Sequence, residues 1–423
     1  MISADLIVAG CQQLLTCRGP APKRKNGLQD LGVIEDGSIA SNKGTIVFTG
    51  TEKEMNTKVR KSPECVEING KGLVGLPGLV DCHTHLPFAG SREQEFLLRL
   101  QGTTYQELAE MGMGIQSTVR HTREASKAEI VSLCQQRLDT MLLHGTTTTE
   151  AKSGYGLNLK DEIKQLEALR EVDRVHPVDI VSTFMGAHEV PKEYKHKKQE
   201  YIKLLTQKII PAVKSKGLAE FFDVFCEQGV YSLEESKILI RAGKKAGFKI
   251  KIHADEFTSL GGAQLAAAEE AVSAEHLIAI SEEGIQKLSN ASTAAVLLPG
   301  VPFFLMQNKR APSRSLIDSG AAVALATDFN PGSSMTESLF FIMQLGVYTQ
   351  EMSVEESIHA VTLNGAYAVD RHQSAGSLEP GKKMDMILCK APNYPYLVYH
   401  FGVNPVQHVI KDGKVVVKNR TIQ

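Results

Sequence analysis

Two histidines one residue apart, His83 and His85 in "LVDCHTHLPFAG", close an apolar run that reads as a buried strand. Side chains at i and i+2 of a strand leave on the same face, so both imidazoles project together. Imidazole suits borderline-soft divalent metals, and two on one face supply half of a tetrahedral shell. Other apolar runs end in the same chemistry: "HADEF" carries His253 and Glu256, "AEHL" carries His276, "GAHEVP" carries His188 and "ATDFNPGS" carries Asp328. Each has an ordinary explanation when taken alone. A strand-end histidine is more often a satisfied structural residue than a ligand, an Asp before Asn-Pro-Gly can be turn chemistry, and a Glu can open a helix. Their shared placement, at the ends of apolar runs and not at the starts, is what sets them apart.

Three imidazoles and one carboxylate, His83, His85, His253 and Asp328, compose a mononuclear site suited to one Zn2+ per subunit, with iron as the alternative. A metal there draws the pKa of a bound water towards neutrality. Glu256 lies three residues beyond His253, placed to take a proton from that water and return it to a leaving nitrogen. His276 is placed to orient the nucleophile or to stabilise a developing oxyanion. The group that first accepts the water's proton stays open among Glu256, Asp328 and His276. Together these parts point to metal-assisted hydrolysis of a C–N bond.

Such a site needs strand ends that converge. From Leu79 onward, short β-rich runs alternate with longer amphipathic stretches, the pattern of βα units. Eight strand runs begin at residues 79, 146, 179, 221, 249, 271, 293 and 322, with helical text such as 160–173 and 232–247 between them. That pattern predicts a (β/α)8 TIM barrel over residues 77–376, whose active site belongs at the C-terminal mouth of the strands. Residues 353–370 read as a closing helix, and the stretch 101–113 is a candidate cover for the site. Before residue 77 and after 376 the text is short strands and turns. The economical reading is one small β-sandwich domain assembled from 1–76 and 377–423.

The 423-residue length suits one large and one smaller unit, and a composition of 42% hydrophobic and 22% charged residues is that of a folded chain. A formal net charge of −1 offers no basic field for nucleic acid. The short basic word "PKRKN" (22–26) reads as a solvated loop. Seven scattered cysteines without a CxxC pair argue for a reducing compartment, hence a cytoplasmic address. The N-terminus lacks the basic n-region of a signal peptide, and no run of about 20 apolar residues would span a membrane. Cys82 alternates away from its two histidine neighbours and reads as packing.

The HxH pair, the histidines on runs five and six and the aspartate on run eight resemble the amidohydrolase superfamily. The words "DCHTHLPFAGSR", "AKSGYGL", "GAHEVP", "HADEF", "AEH" and "TDFNPGS" together resemble the branch that opens the ring of 4-imidazolone-5-propanoate with water, giving N-formimidoyl-L-glutamate in histidine degradation. The resemblance implies that His83, His85, His253 and Asp328 are the metal ligands. It implies that Arg92, Tyr155, His188 and Glu256 contact substrate, with Asn330, Gly332 and Ser333 in the loop after the last strand, and that His276 is the family's strand-six histidine. A guanidinium such as Arg92 can clamp a propionate through two parallel hydrogen bonds. Binuclear relatives use a carbamylated lysine at the end of strand four, where this chain reads "FCEQG"; Lys152 is on strand two. A single metal is therefore expected. The implied partners are a small acidic substrate and water, neither nucleic acid nor membrane, with a homodimer as the candidate assembly. Two other readings compete: a nucleobase-type aminohydrolase sharing the metal site, and a non-catalytic scaffold on the same fold.

Overall fold

The computed structural model describes residues 1–103, 107 and 111–423, so residues 104–106 and 108–110 of the expected cover at 101–113 lie outside the described residues. The N-terminal end forms strands β1 (Ile2–Leu15), β2 (Val33–Asn42), β3 (Thr45–Thr51), β4 (Val59–Asn69) and β5 (Leu73–Pro77). The barrel strands follow: β6 (Leu79–Asp81), β7 (Thr146–Lys152), β8 (Asp179–Ala187), β9 (Phe221–Cys226), β10 (Lys249–Ala254), β11 (Ser273–His276), β12 (Ala294–Leu297) and β13 (Ala322–Leu325). The C-terminal end adds β14 (Met386–Lys390), β15 (Val406–Lys411), β16 (Lys414–Lys418) and β17 (Thr421–Ile422).

Strands β6 to β13 lie in chain order in one parallel sheet, and all eight expected runs supply a strand. The ladder between β6 and β13 is replaced by a link at the mouth. Thr84 and Phe329 bridge in parallel; the His85 N–H donates to Phe329 O at 3.0 Å and the Asp328 N–H to His83 O at 3.0 Å. One turn below, the Asp81 carboxylate accepts from the Thr327 N–H at 3.1 Å and hydroxyl at 2.7 Å. The hydrogen bonds that close the barrel thus run between the very residues that flank His83, His85 and Asp328.

Local sequence explains the helices between strands. Ser126 with Glu129, Ser232 with Glu235 and Ser353 with Glu356 form reciprocal capping boxes, each satisfying two backbone donors at a helix start. The helix Leu233–Ala246 stops at Gly247, whose φ of +87° favours a residue without Cβ. Leu, Ile and Val from helices and outer strand faces form the main core, which continues into β14 to β16 through Ile387, Val406 and Val417. The two chain ends share one nine-stranded sheet in which β5 joins β1 to β14. Both its faces are covered: Leu6 and Val8 pack in one apolar cluster, Ile7 in another.

Two local expectations are corrected. The closing helix over 353–370 is two short ones, Val354–Ala360 and Leu363–Ala368. The break arises because Val361 O accepts the Val80 N–H of β6 at 2.9 Å, while the Thr362 hydroxyl donates to Ile358 O at 2.6 Å. The word "PKRKN" is solvated only at Lys25 and Asn26; its first three residues are packed. Lys23 is buried with its ammonium on Arg18 O, and the Arg24 guanidinium donates to the carbonyls of Ser289, Gly320 and Ala291. Carbonyls at and just beyond the C-terminal ends of the helices Glu282–Ser289 and Ser313–Ser319 recruited Arg24, a demand invisible in the sequence.

The Asp81–Thr327 link generates a stability prediction. Thr327→Val keeps the shape but removes one donor from a fully buried carboxylate and the hydroxyl that accepts the Phe329 N–H. Unfolding free energy in denaturant should fall by about 1–3 kcal/mol; an unchanged midpoint and slope would show that the link does not hold the two strands together.

Candidate metal centre

The mouth gathers the strand-end residues because each sits just where its strand stops. His83 and His85 follow β6, His253 is in β10, His276 ends β11, and Asp328 lies beyond β13. Asp328 and His276 both adopt left-handed backbone, φ +51° and +74°. That conformation costs a non-glycine residue on the order of 1–3 kcal/mol, and it turns both side chains inward.

The donor atoms fit a tetrahedral ion. His83 Nε2 lies 3.2 Å and His85 Nε2 3.4 Å from Asp328 Oδ1, and His253 Nε2 lies 3.4 Å from His85 Nε2. Metal–ligand bonds of about 2.0–2.1 Å at tetrahedral angles put donors about 3.3–3.4 Å apart. All four residues are buried, and His83 Nε2 and Asp328 Oδ1 make no well-aligned hydrogen bond of their own. Buried ring nitrogens and a carboxylate oxygen that lack hydrogen-bond partners want a cation. The residues present therefore fit a zinc-type ion. His83, His85 and His253 form one group able to hold a metal, and His83, His276 and Asp328 form an overlapping one.

Electrostatics sort the residues by task. Burial opposes charge on His83, yet the Glu275 carboxylate beside it lifts its pKa to about 9. Burial, against the opposing pull of Asp328, drives His85 down to about 4. Asp328 is held well below the usual carboxylate range: burial works against it, and the His83 and His85 rings beside its Oδ1 at 3.2 and 3.4 Å prevail. Glu256 is pushed well above its ordinary value by burial, then by Asp328 and Glu227. A carboxyl whose surroundings favour its protonated form suits a proton carrier. His276, its Nδ1 3.6 Å from Glu256 Oε1, is held neutral by burial.

One cavity of about 370 Å³ opens above these groups, and every expected site residue except His83 lines it. Arg92, at the start of the helix Glu93–Leu100, donates through Nε and Nη2 to Glu95 at 2.9 and 2.5 Å. Its other face lies on Gly332, where a Cβ would overlap the guanidinium. His188 stacks on His85 with ring centroids 4.8 Å apart, and its Nδ1 is 3.1 Å from Gly154 O, so Nε2 faces the cavity. Tyr155 meets the His188 ring edge-on at 5.2 Å, and burial raises its hydroxyl's pKa. Asn330 is turned to its own loop: Oδ1 accepts the N–H groups of Gly332 and Ser333, and Nδ2 donates to Asp328 O. The Ser333 hydroxyl reaches towards Asp328 Oδ2 at 3.4 Å. Cys82 packs in an apolar cluster with Val80, as its alternation required.

Sequence reasoning missed the layer beneath and beside these groups. Glu275 Oε2 is 2.6 Å from His83 Nδ1, and Asp223 Oδ2 is 3.0 Å from His253 Nδ1. Such carboxylates fix which imidazole nitrogen points to a metal. Glu227 accepts the N–H groups of Phe257 and Thr258 and the Thr258 hydroxyl, while Asp255 accepts those of Gly261, Gly262 and Ala263. Glu256 thus sits between two anchored neighbours. A signal existed: "FFDVF", "KIKIHA" and "TTTTEAK" place charges at alternate positions of buried parallel strands, where apolar text is the rule.

A model of the amidohydrolase family matches residues 74–416. An imidazolonepropionase of Geobacillus sp. (strain WCH70) is 48% identical over 419 residues, 98% of each chain. Another, of Alkaliphilus oremlandii (strain OhILAs), is 46% identical over 422 residues, 100% of each. Among solved structures, a zinc-bound adenosine deaminase from Xanthomonas campestris superposes with a TM-score of 0.70 at 16% identity, covering 100% of this chain and 95% of that one, a likeness of fold. With a family match that takes in the whole barrel and full-length relatives at nearly half identity, the chain belongs to the amidohydrolase family, in the group of its imidazolonepropionases.

Proposed function

We propose that this chain hydrolyses 4-imidazolone-5-propanoate to N-formimidoyl-L-glutamate with one zinc ion, or iron in its place, held by His83, His85, His253 and Asp328. The observation that carries the reading is the convergence of three Nε2 atoms and Asp328 Oδ1 at 3.2–3.4 Å, beneath a cavity that holds Glu256 and Arg92. The ion would supply Lewis acidity that makes water a nucleophile near neutral pH.

The chain's own residues do the rest. Water adds to the ring carbonyl carbon, and the bond from that carbon to the ring nitrogen breaks. Glu256 takes the water's proton and delivers it to the departing nitrogen, which balances the step. His276, neutral and beside Glu256, hydrogen-bonds the carbonyl oxygen as charge develops there. Arg92 pairs with the propionate through the edge that Glu95 leaves free, and Gly332 leaves room for that guanidinium. His188 and Tyr155 wall the ring, and Asn330 and Ser333 shape the loop that carries Asp328.

A cytosolic address is supported by seven cysteines that are all free thiols. Among the described residues, no helix is long and apolar enough to cross a membrane. For assembly, a second copy of the chain is the partner that one aromatic surface supports. Phe341 and Tyr348 lie two turns apart on the helix Leu339–Gln350 and pack against exposed Phe303 and Phe401.

The reading is tested by following the ultraviolet decay of freshly generated imidazolone propanoate with zinc-replete protein. Formimidoylglutamate as product is expected; loss no faster than the spontaneous rate would refute the reading, and ammonia release from an aminated nucleobase offered in its place would favour the aminohydrolase. Glu256→Gln should keep its zinc and lose roughly two or more orders of magnitude in kcat; near-normal turnover would remove Glu256 from the proton path. Arg92→Ala should raise KM about 10- to 100-fold with little change in kcat, the loss of a charged hydrogen bond worth about 1.5–3 kcal/mol. Gly332→Ala should shift KM in the same direction by displacing the guanidinium, and an unaltered KM in both variants would mean that the propionate binds elsewhere.

A further inference from the structure

Beneath the metal ligands the barrel interior is polar. Glu150 and Lys152 of β7, Asp223 of β9, and Lys251, Ser273 and Glu275 of β10 and β11 are all fully buried. The Lys152 ammonium stands at the centre, 2.7 Å from Glu150 Oε1, 2.8 Å from Asp223 Oδ2 and 3.1 Å from Glu275 Oε2. Asp223, His253 and Glu275 bring their donor atoms close enough together to hold a cation, and the ammonium is that cation.

Each carboxylate on Lys152 touches a different part of the metal site. Glu275 Oε2, the oxygen facing Lys152, is also the one beside His83 Nδ1, and Asp223 Oδ2 is likewise the one beside His253 Nδ1. Glu150 Oε2 accepts the N–H of Thr84, the residue between His83 and His85, and the Lys152 N–H donates to Thr84 O. Lys251 holds the far oxygen of Glu275 at 2.7 Å and fixes its rotation. Three carboxylates against two ammoniums leave one surplus negative charge, facing the Nδ1 atoms. That charge favours Nδ1–H and leaves Nε2 as a basic lone pair for the ion.

We propose that Lys152 is the positioning residue of the metal centre: through Glu150, Asp223 and Glu275 it holds the "HTH" backbone and the His83 and His253 rings as one unit with Nε2 aimed into the mouth. The inference rests on the metal reading above. It gives Lys152 a role unlike that of a bridging ligand, since its nitrogen remains an ammonium surrounded by carboxylates.

The test uses the full chain and the metal alone. Zinc dissociation constants are measured by chelator competition, and the visible spectrum is recorded after cobalt(II) substitution, for wild type and Lys152→Met. Zinc affinity should fall about 10- to 100-fold, the usual cost of losing outer-shell support, and the cobalt bands should move. Removing the ammonium leaves buried carboxylates unpaired and can prevent folding, so Asp223→Asn and Glu275→Gln are measured singly and together. Each should weaken zinc and shift the cobalt bands, and the double variant should lose less than the product of the two, because both act through one unit. A lowered melting temperature with unchanged zinc affinity and cobalt spectrum would overturn the proposal, as would fully multiplicative losses. Wild type that binds no zinc would instead fail the metal reading itself.

Discussion

The rest of the structure depends on how the barrel closes. Strands β6 and β13 do not complete a ladder; they meet beyond their ends, where Thr84 bridges Phe329 and His83 O accepts the Asp328 N–H. A closed parallel barrel requires its first and last strands to be joined, and here the join is made from the residues that flank the site. Closing the fold and bringing the HxH imidazoles against Asp328 are therefore a single event. The left-handed backbone of Asp328 is held by that join and by Asn330, which ties the following loop to Asp328 O.

A second consequence follows for electrostatics. The groups at the mouth are buried, so their charges are governed by their nearest neighbours more than by solvent. His83 and His85, two residues apart, are pushed in opposite directions because Glu275 stands beside only the former. Glu256 is pushed towards its protonated form by burial, Asp328 and Glu227, while Asp328 is held ionised beside two imidazoles. Two carboxyl groups in one cavity are thus pushed in opposite directions by environment alone, the division that the proposed ligand and proton carrier require.

Much of this was legible in the sequence because it rests on short-range pattern. Alternation put His83 and His85 on one face and Cys82 on the other; turn chemistry and capping marked where strands and helices stop. Barrel class followed from eight repeats, and the strand ends then had to share a mouth. What escaped notice depends on which strands face each other across the barrel. Glu275, Asp223 and Lys152 are far apart in the chain, and each looks like an isolated charge until the barrel superposes them. Arg24 is similar: it reads as a loop cation, and only the carbonyls of Ser289, Ala291 and Gly320 explain its place. The break at Thr362 belongs to the same class, since its cause is Val80, a residue on the first barrel strand.

The account stands or falls on one four-donor site formed where the barrel closes. X-ray absorption at the zinc edge, with metal content determined on the same zinc-loaded sample, tests this most directly. One zinc per chain, with nitrogen and oxygen neighbours at about 2.0–2.1 Å and the outer-shell scattering of imidazole rings, is the predicted result. A sulfur neighbour at about 2.3 Å, or two zinc ions per chain at full loading, would contradict it.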